Sequence, residues 1–503
     1  MKNATKNCIL ALAVLSVLLL SVSCGGGSGP AQNENENENE IPKDENKAGD
    51  IPAAVNEDGI FYDEVPEINF GGYEYRALIG TYDRENQDLY PENEIGEVLN
   101  DAIYARNKKI EDRFDIVFKP NTINLFNLLS ALRKDVKAGA DAYDMYMQID
   151  RDAYTAASEQ LLYPVSELPY VDLAKPYWCP TSNKTLSVAG KLYWAFSDEM
   201  LSHFEYTVTL YFNKKQAQDL GLENIYELVK TGKWTHDRFF EYARSAVRDL
   251  DGDGQMTESD NWGIASEPDY MFACFTVCSG INMVEKDDGD IPYFAVPGNQ
   301  KFFDIAETVA DRFGALNGIF MDSFKVKLPG YGSQGTNARV GFFRNGHSLF
   351  SVGALQEMVQ LRDMPDDFGI VPFPKHTEDQ PQYYTRVIGG FPFVTPGTAA
   401  KPEIAGAVME AMACETRNTV IPAYYESALK NKYSRDTDTA EMLDLMFVTK
   451  VYDLGDTIWY SPIRVDYTDI FAGGKNTFAS HTEKNTDKYN KIIEKAVAGI
   501  LGE

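Results

Sequence analysis

The segment Ala142-Tyr143-Asp144-Met145-Tyr146-Met147-Gln148-Ile149-Asp150-Arg151 is an apolar and aromatic run that ends on a polar edge. Its first seven residues read as a β-strand, and a helix follows from Asp152 to Gln160. Upstream, Leu125, Leu128, Leu129, Leu132 and Val136 recur on one helical face. Before that helix stands a strand, Asp115-Ile116-Val117-Phe118-Lys119. Earlier still come a helix from Glu94 to Arg113, with Ile95, Val98, Leu99, Ala102, Ile103 and Ile110 at helical spacing, and a strand from Tyr73 to Ile79. This β-α-β-α-β-α order predicts an α/β fold, an open parallel sheet with helices on both faces. Such sheets bind ligands beyond the carboxyl ends of their strands. Gln148, Asp150 and Arg151 stand at that edge, where Asp150 or Asp152 also suits the cap of the following helix.

A second αβ series follows. His203 to Asn213 is a long β-branched and aromatic run, expected to be extended, and it turns helical at Lys214. A helix is expected from Trp234 to Arg248 with Thr235 as its N-cap, then a strand Trp262-Gly263-Ile264-Ala265. Further helices are read at 270–279 and 301–314, and strands at Ser348–Val352 and Phe368–Pro374. Tyr383 to Val394 is a second extended run, broken by Gly389-Gly390, and helices close the chain. Two αβ bodies joined by two extended runs predict a chain that crosses between lobes more than once, a hinge architecture.

Between the 234–248 helix and the next strand lies Asp249-Leu250-Asp251-Gly252-Asp253-Gly254-Gln255-Met256-Thr257-Glu258-Ser259-Asp260. Asp249, Asp251 and Asp253 fall at alternate positions, Gly254 allows a sharp turn, Gln255 offers its backbone carbonyl, and Asp260 closes a twelve-residue span. That is the spacing of a loop that wraps calcium, and carboxylates this close repel without a cation. The plainer reading is an acidic solvated turn. Position twelve is Asp rather than Glu, so the loop resembles the structural calcium loops of bacterial dockerin modules. A single loop cannot act as a paired sensor, so a structural Ca2+ is expected. Trp234 and Trp262 flank it and are read as structural.

The 503 residues carry a formal charge of -29, with a hydrophobic fraction of 44%. This is a globular composition whose acidity argues against nucleic acid and anionic lipid surfaces. Lys2 and Lys6 precede an apolar run from Ile9 to Val22, too short to span a membrane but suited to a signal peptide over 1–23. The site Leu20-Ser21-Val22-Ser23-Cys24-Gly25 resembles the lipobox of bacterial lipoproteins, which predicts lipidation of Cys24. A Gly-rich and then Asn-Glu-rich stretch makes 24–59 a flexible acidic linker, consistent with a lipid-anchored protein on the outer face of the cell membrane. Cys179, Cys274, Cys278 and Cys414 are read as buried free thiols, with a disulfide left open. No serine-centred elbow, zinc motif or phosphate loop is present, and the five histidines are scattered.

Several stretches together resemble the extracellular solute-binding proteins of bacterial ABC importers, in the carbohydrate-binding branch related to maltose-binding protein. They are 139–144 before the third strand, Gly190-Lys191-Leu192-Tyr193-Trp194-Ala195, Leu210-Tyr211-Phe212-Asn213-Lys214, Lys233-Trp234-Thr235-His236-Asp237-Arg238-Phe239, 342–350, and Phe368-Gly369-Ile370-Val371-Pro372-Phe373-Pro374-Lys375. The resemblance implies a two-lobe periplasmic-binding-protein-like clamp with hinge crossovers. Lobe one would comprise 60–204 plus 390–437, and lobe two 205–389 plus 438–503. It further implies a monomer that captures a carbohydrate between the lobes and delivers it to ABC permease subunits. The ligand positions it implies are Gln148, Asp150, Arg151, Trp194, Gly353, Gln356, Trp459, Tyr460 and Arg464. A pyranose suits such a set, since its apolar face packs on aromatic rings and its hydroxyls meet Asp, Arg and Gln. Two alternatives stay open: a secreted glycan hydrolase with paired carboxylates, and the same fold holding a peptide or polyamine.

Overall fold

The computed structural model describes residues 55–56, 59–81, 89–313, 319–324, 336–429 and 437–503. The expected signal peptide, the Cys24 anchor and nearly all of the acidic linker lie outside the described residues.

The first sheet has the order Phe393–Val394, Met145–Met147, Tyr73–Thr81, Ile116–Asn124. Tyr73–Thr81 is central and runs parallel to both neighbours, pairing with Ile116–Asn124 from Tyr73↔Ile116 to Thr81↔Asn124. Phe393–Val394 is antiparallel to Met145–Met147. The intervening helices are Val98–Phe114 and Leu128–Lys137, the latter burying Leu128, Leu129 and Leu132 on one face. Glu97 caps the first, its Oε2 accepting from the Asn100 backbone N–H at 2.8 Å.

The second sheet has the order Phe368–Val371, Val208–Asn213, Ser348–Ala354, Trp262–Ser266, Phe320–Asp322. Trp262–Ser266 is parallel to both of its neighbours, whereas Val208–Asn213 is antiparallel to both of its own. The two sheets therefore repeat one plan: a parallel triplet with its first strand in the middle, flanked by an antiparallel strand that a crossover delivers. Val208–Asn213 and Ser348–Ala354 are buried along their whole length, as continuous apolar runs require when both sheet faces are covered.

Both expected extended runs are shorter than their sequence suggests. The 203–213 run begins as a helical turn, Ser202–Glu205, and becomes a strand only at Val208. His203 is the reason: it is fully buried, stacks on Phe196 at 4.6 Å and meets Ser182 Oγ at 3.2 Å, which a strand conformation at this point would not allow. The 383–394 run holds two short strands, Thr385–Arg386 and Phe393–Val394, separated by Gly389 at φ +146°.

The crossovers lie side by side. Thr207 bridges Val387, the Ile388 N–H donates to the Tyr206 carbonyl at 3.1 Å, and Thr385–Arg386 runs parallel to Lys450–Val451. Two α/β lobes joined by this strap form a clamp with hinge crossovers. The last helix, Phe478–Leu501, expected with lobe two, touches both bodies. Tyr489 packs on Phe294 at 5.0 Å, while the Gly499 and Ile500 carbonyls accept from Gln160 and Tyr193, each at 3.4 Å. Cys179, Cys274, Cys278 and Cys414 are free thiols. Among the described residues no helix is long and apolar enough to cross a membrane.

Candidate functional site

Helix Asp150–Ser158 starts where the third strand of the first sheet stops, so its first residues face the crossovers. The Gln148 N–H donates to the Pro392 carbonyl at 2.9 Å and the Asp150 N–H to the Gly390 carbonyl at 3.1 Å. Asp150 accepts the Tyr452 hydroxyl at 2.7 Å on Oδ2 and the Arg151 N–H at 2.8 Å on Oδ1. Burial pushes its carboxyl up to about 6, against the pull of these two donors and the Arg151 charge. A Cβ at Gly389 would stand 2.9 Å from Asp150 Oδ2, so the glycine lets the crossover approach. Asp150 thus braces the hinge with both oxygens.

Arg151 reaches the other way. Its guanidinium lies over the Tyr460 ring at 5.4 Å, and the Arg464 guanidinium lies over the same ring at 5.4 Å. Arg464 stands 3.6 Å from both Asp456 and Asp269. Asp456 is held bidentately by Arg386, at 2.6 and 2.8 Å. Arg386 lies over the Tyr270 ring at 5.7 Å, and Arg339 lies over it at 5.5 Å. Arg339, fully buried, pairs with Glu267 at 2.7 Å and bidentately with Glu357 at 2.8 Å. A continuous chain of rings and ion pairs thus runs from the polar edge of the first sheet to the carboxyl ends of the Trp262–Ser266 and Ser348–Ala354 strands.

Of the residues named from sequence, Arg151, Tyr460 and Arg464 come together, and Gln148 and Asp150 lie at the same edge. Gln356 is half-buried on the turn after Ser348–Ala354. Three positions take a different role. Trp194 is 1% exposed and meets Phe196 edge-on at 5.3 Å, leaving no open ring face. Trp459 is 5% exposed and packs edge-on against Tyr154 at 5.2 Å. Burial of so large an apolar surface next to the hinge makes both tryptophans core, and the half-buried Tyr460 is the ring beside them that stays accessible. At Gly353 a Cβ would come within 2.6 Å of Arg339 Nη1, so this glycine makes room for the Arg339–Glu357 pair.

Sequence reasoning missed Tyr270, Arg339, Arg386 and Asp456. Arg386 did carry a signal: a charged residue inside an apolar extended run demands a buried partner. The chain also holds buried polar atoms without hydrogen-bond partners among the described residues: both amide atoms of Gln148, Arg386 Nη1, Arg464 Nε, Asp269 Oδ1 and Glu267 Oε1. Buried polar atoms are ordinarily satisfied, so this edge is built to receive further donors and acceptors. Four arginines (151, 339, 386, 464) face five carboxylates (150, 267, 269, 357, 456), a near balance that suits a neutral polar ligand better than a polyanion or polycation.

The acidic loop lies apart from this edge. Asp249, Asp251 and Asp253 are exposed, and one carboxylate oxygen from each lies within 4.8 Å of the others. Asp249 accepts the Gly252 N–H at 2.6 Å and the Gly254 N–H at 2.8 Å, shaping the loop around its first position. Gly252 and Gly254 take φ +75° and +80°. The Gln255 N–H donates to Asp253 at 2.7 Å. Asp260 differs from its expected place as a ligand. It is fully buried and its oxygens accept the Leu250 N–H at 2.8 Å and the Thr257 N–H at 2.7 Å, so it ties the loop ends together. Three converging hard oxygen ligands fit a calcium ion.

No protein-family model matches the chain, and no curated protein matches it in sequence. The fold has counterparts among solved structures. A cyclo/maltodextrin-binding protein complexed with maltotetraose superposes with TM-score 0.54 at 16% identity, over 85% of this chain and 96% of that one. The GacH receptor of Streptomyces glaucescens GLA.O, solved unliganded and with acarbose and an acarbose homolog, gives 0.52 at 12% identity, over 84% and 99%. UgpB from Mycobacterium tuberculosis in complex with glycerophosphocholine gives 0.50 at 15%, over 86% and 98%. The fold is the periplasmic-binding-protein-like clamp.

Proposed function

We propose that this chain is a solute-binding protein that captures a neutral saccharide between its lobes and hands it to an ABC permease. The observation that carries this reading is the half-buried Tyr460 ring, which Arg151 from the first sheet's edge and Arg464 from Tyr460's own segment both approach. The arrangement supplies an aromatic face with fixed donors and acceptors around it, and closing the lobes assembles it. The solved counterparts holding maltotetraose and acarbose support the choice of ligand. The counterpart holding glycerophosphocholine supports a second cargo, because two guanidinium groups on one ring also suit a phosphodiester.

Binding rather than hydrolysis suits the cleft carboxylates. Glu267, Glu357 and Asp456 are committed to arginines and Asp150 to Tyr452. Cys24 would anchor the mature protein on the outer membrane face through its acyl chains. Asp249, Asp251 and Asp253, with the Gln255 carbonyl, would hold one structural Ca2+, and Asp260 would fix the loop that presents them.

A thermal-shift screen tests the reading. Neutral oligosaccharides should raise Tm, while peptides, polyamines and glycerophosphocholine should not. A shift with glycerophosphocholine alone favours the second cargo. Turnover of an oligosaccharide without any permease would sink the binding-protein reading.

A further inference from the structure

The repeated sheet plan places Phe126 and Phe324 at equivalent points. Ile116–Asn124 and Phe320–Asp322 are the outermost parallel strands of their sheets, each on the side away from the crossover strand. Each ends on a residue whose side-chain oxygen accepts the backbone N–H two positions on. The Phe126 N–H donates to Asn124 Oδ1 at 3.1 Å, and the Phe324 N–H donates to Asp322 Oδ1 at 3.0 Å. Phe126 is 60% exposed and Phe324 53%. None of the chain's other phenylalanines, 28 in all, is exposed. Rings this exposed forgo much of the burial that the other phenylalanines here obtain. The departure occurs twice, at the same step of the same topology.

Both rings stand at the carboxyl ends of parallel strands, the edge at which α/β sheets take ligands. Tyr270 follows the strand next to Phe320–Asp322, and Arg151 follows the strand two places from Ile116–Asn124. The phenylalanines therefore extend the ring-and-ion-pair edge outward, away from the hinge. Their chain neighbours Asn124, Asn127, Asp322 and Ser323 are polar. An exposed flat ring beside polar chain neighbours matches one pyranose, with its apolar face on the ring and its hydroxyls toward amide and carboxylate. A protein partner would instead want a contiguous apolar patch.

We infer that Phe126 and Phe324 are rim platforms for the outer units of an extended saccharide, so that the clamp selects oligosaccharides by length. This rests on the carbohydrate reading above. The test is calorimetric titration of the wild-type chain, Phe126→Ala, Phe324→Ala and the double variant with short and long members of the malto-, manno- and xylo-oligosaccharide series. The wild type should prefer long chains. Each single variant should lose roughly 5- to 10-fold in affinity for the long ligand and less than about 2-fold for the short one. Phe324→Trp, which keeps the platform, should keep the preference. Equal losses at both lengths, or none at either, overturn the inference. Unchanged affinities with reduced uptake through the reconstituted importer would assign the rings to the permease instead. A wild-type chain that binds none of these saccharides contradicts the carbohydrate reading itself, not the rim alone.

Discussion

The Tyr452 hydroxyl donates to Asp150 Oδ2 at 2.7 Å across 302 residues of sequence. This bond ties the polar edge of the first sheet to the strand at the last crossover. Tyr452→Phe leaves a buried carboxyl short of a donor, which costs about 1–3 kcal/mol. Denaturant unfolding should show that loss, whereas unchanged stability would mean that the bond does not brace the hinge.

The two tryptophans should behave as core. Trp194→Ala and Trp459→Ala should each cost about 3–5 kcal/mol in denaturant unfolding, the range for emptying a large buried site. A variant that keeps its stability yet loses ligand affinity would return that tryptophan to the binding surface.

Stability should fall as pH rises from about 7 to about 8. Below about 6.5 the buried His203 and His236, whose pKa values burial pushes well down, oppose the trend because their unfolded imidazoles take up protons. Burial pushes Glu199 up to about 8, Asp453 and Glu410 up to about 7, and Asp150 up to about 6. In the unfolded chain carboxyls release their protons near pH ~4. Between these limits the four carboxyls hold more protons in the folded chain, so their contribution is largest on the acid side and shrinks as each group ionises. Tm measured from about pH 7 to about pH 8 should decline, and Glu199→Gln should flatten the decline. A Tm that climbs with pH over that range would contradict the assignment.

Calcium, if it sits among Asp249, Asp251 and Asp253, acts on stability. Chelation by EDTA should lower Tm, added Ca2+ should restore it, and Asp251→Asn should blunt both effects. Ligand affinity should change little, because the loop is remote from Tyr460 and Tyr270. An EDTA-insensitive Tm would reduce the loop to a solvated acidic turn.

The first parallel triplet was legible because each strand and helix carries its own period, 2 or 3.6, and needs no distant partner to show it, whereas the three-residue strand Phe320–Asp322 of the second is too short to show one. The polar edge after Met147 was legible for the same reason. Tyr270 was not, since a half-buried tyrosine at the start of an apolar helix looks like any core tyrosine until Arg339 and Arg386 arrive beside it. Those arginines pair with Glu267, Glu357 and Asp456 at separations of 18 to 72 residues, where no local spacing betrays them. Trp194 and Trp459 misled because a tryptophan's chemistry suits a sugar while its burial depends on tertiary packing alone.

The central claim is that one ring chain, Tyr460 to Tyr270, holds a neutral saccharide. Calorimetric titration of the wild type, Tyr460→Ala and Tyr270→Ala with the oligosaccharide that most raises Tm tests it directly. The account predicts saturable one-to-one binding by the wild type and a loss of roughly tenfold or more in each variant, with both variants still folded. Undiminished affinity in both variants, or no saccharide binding by the wild type, would contradict it.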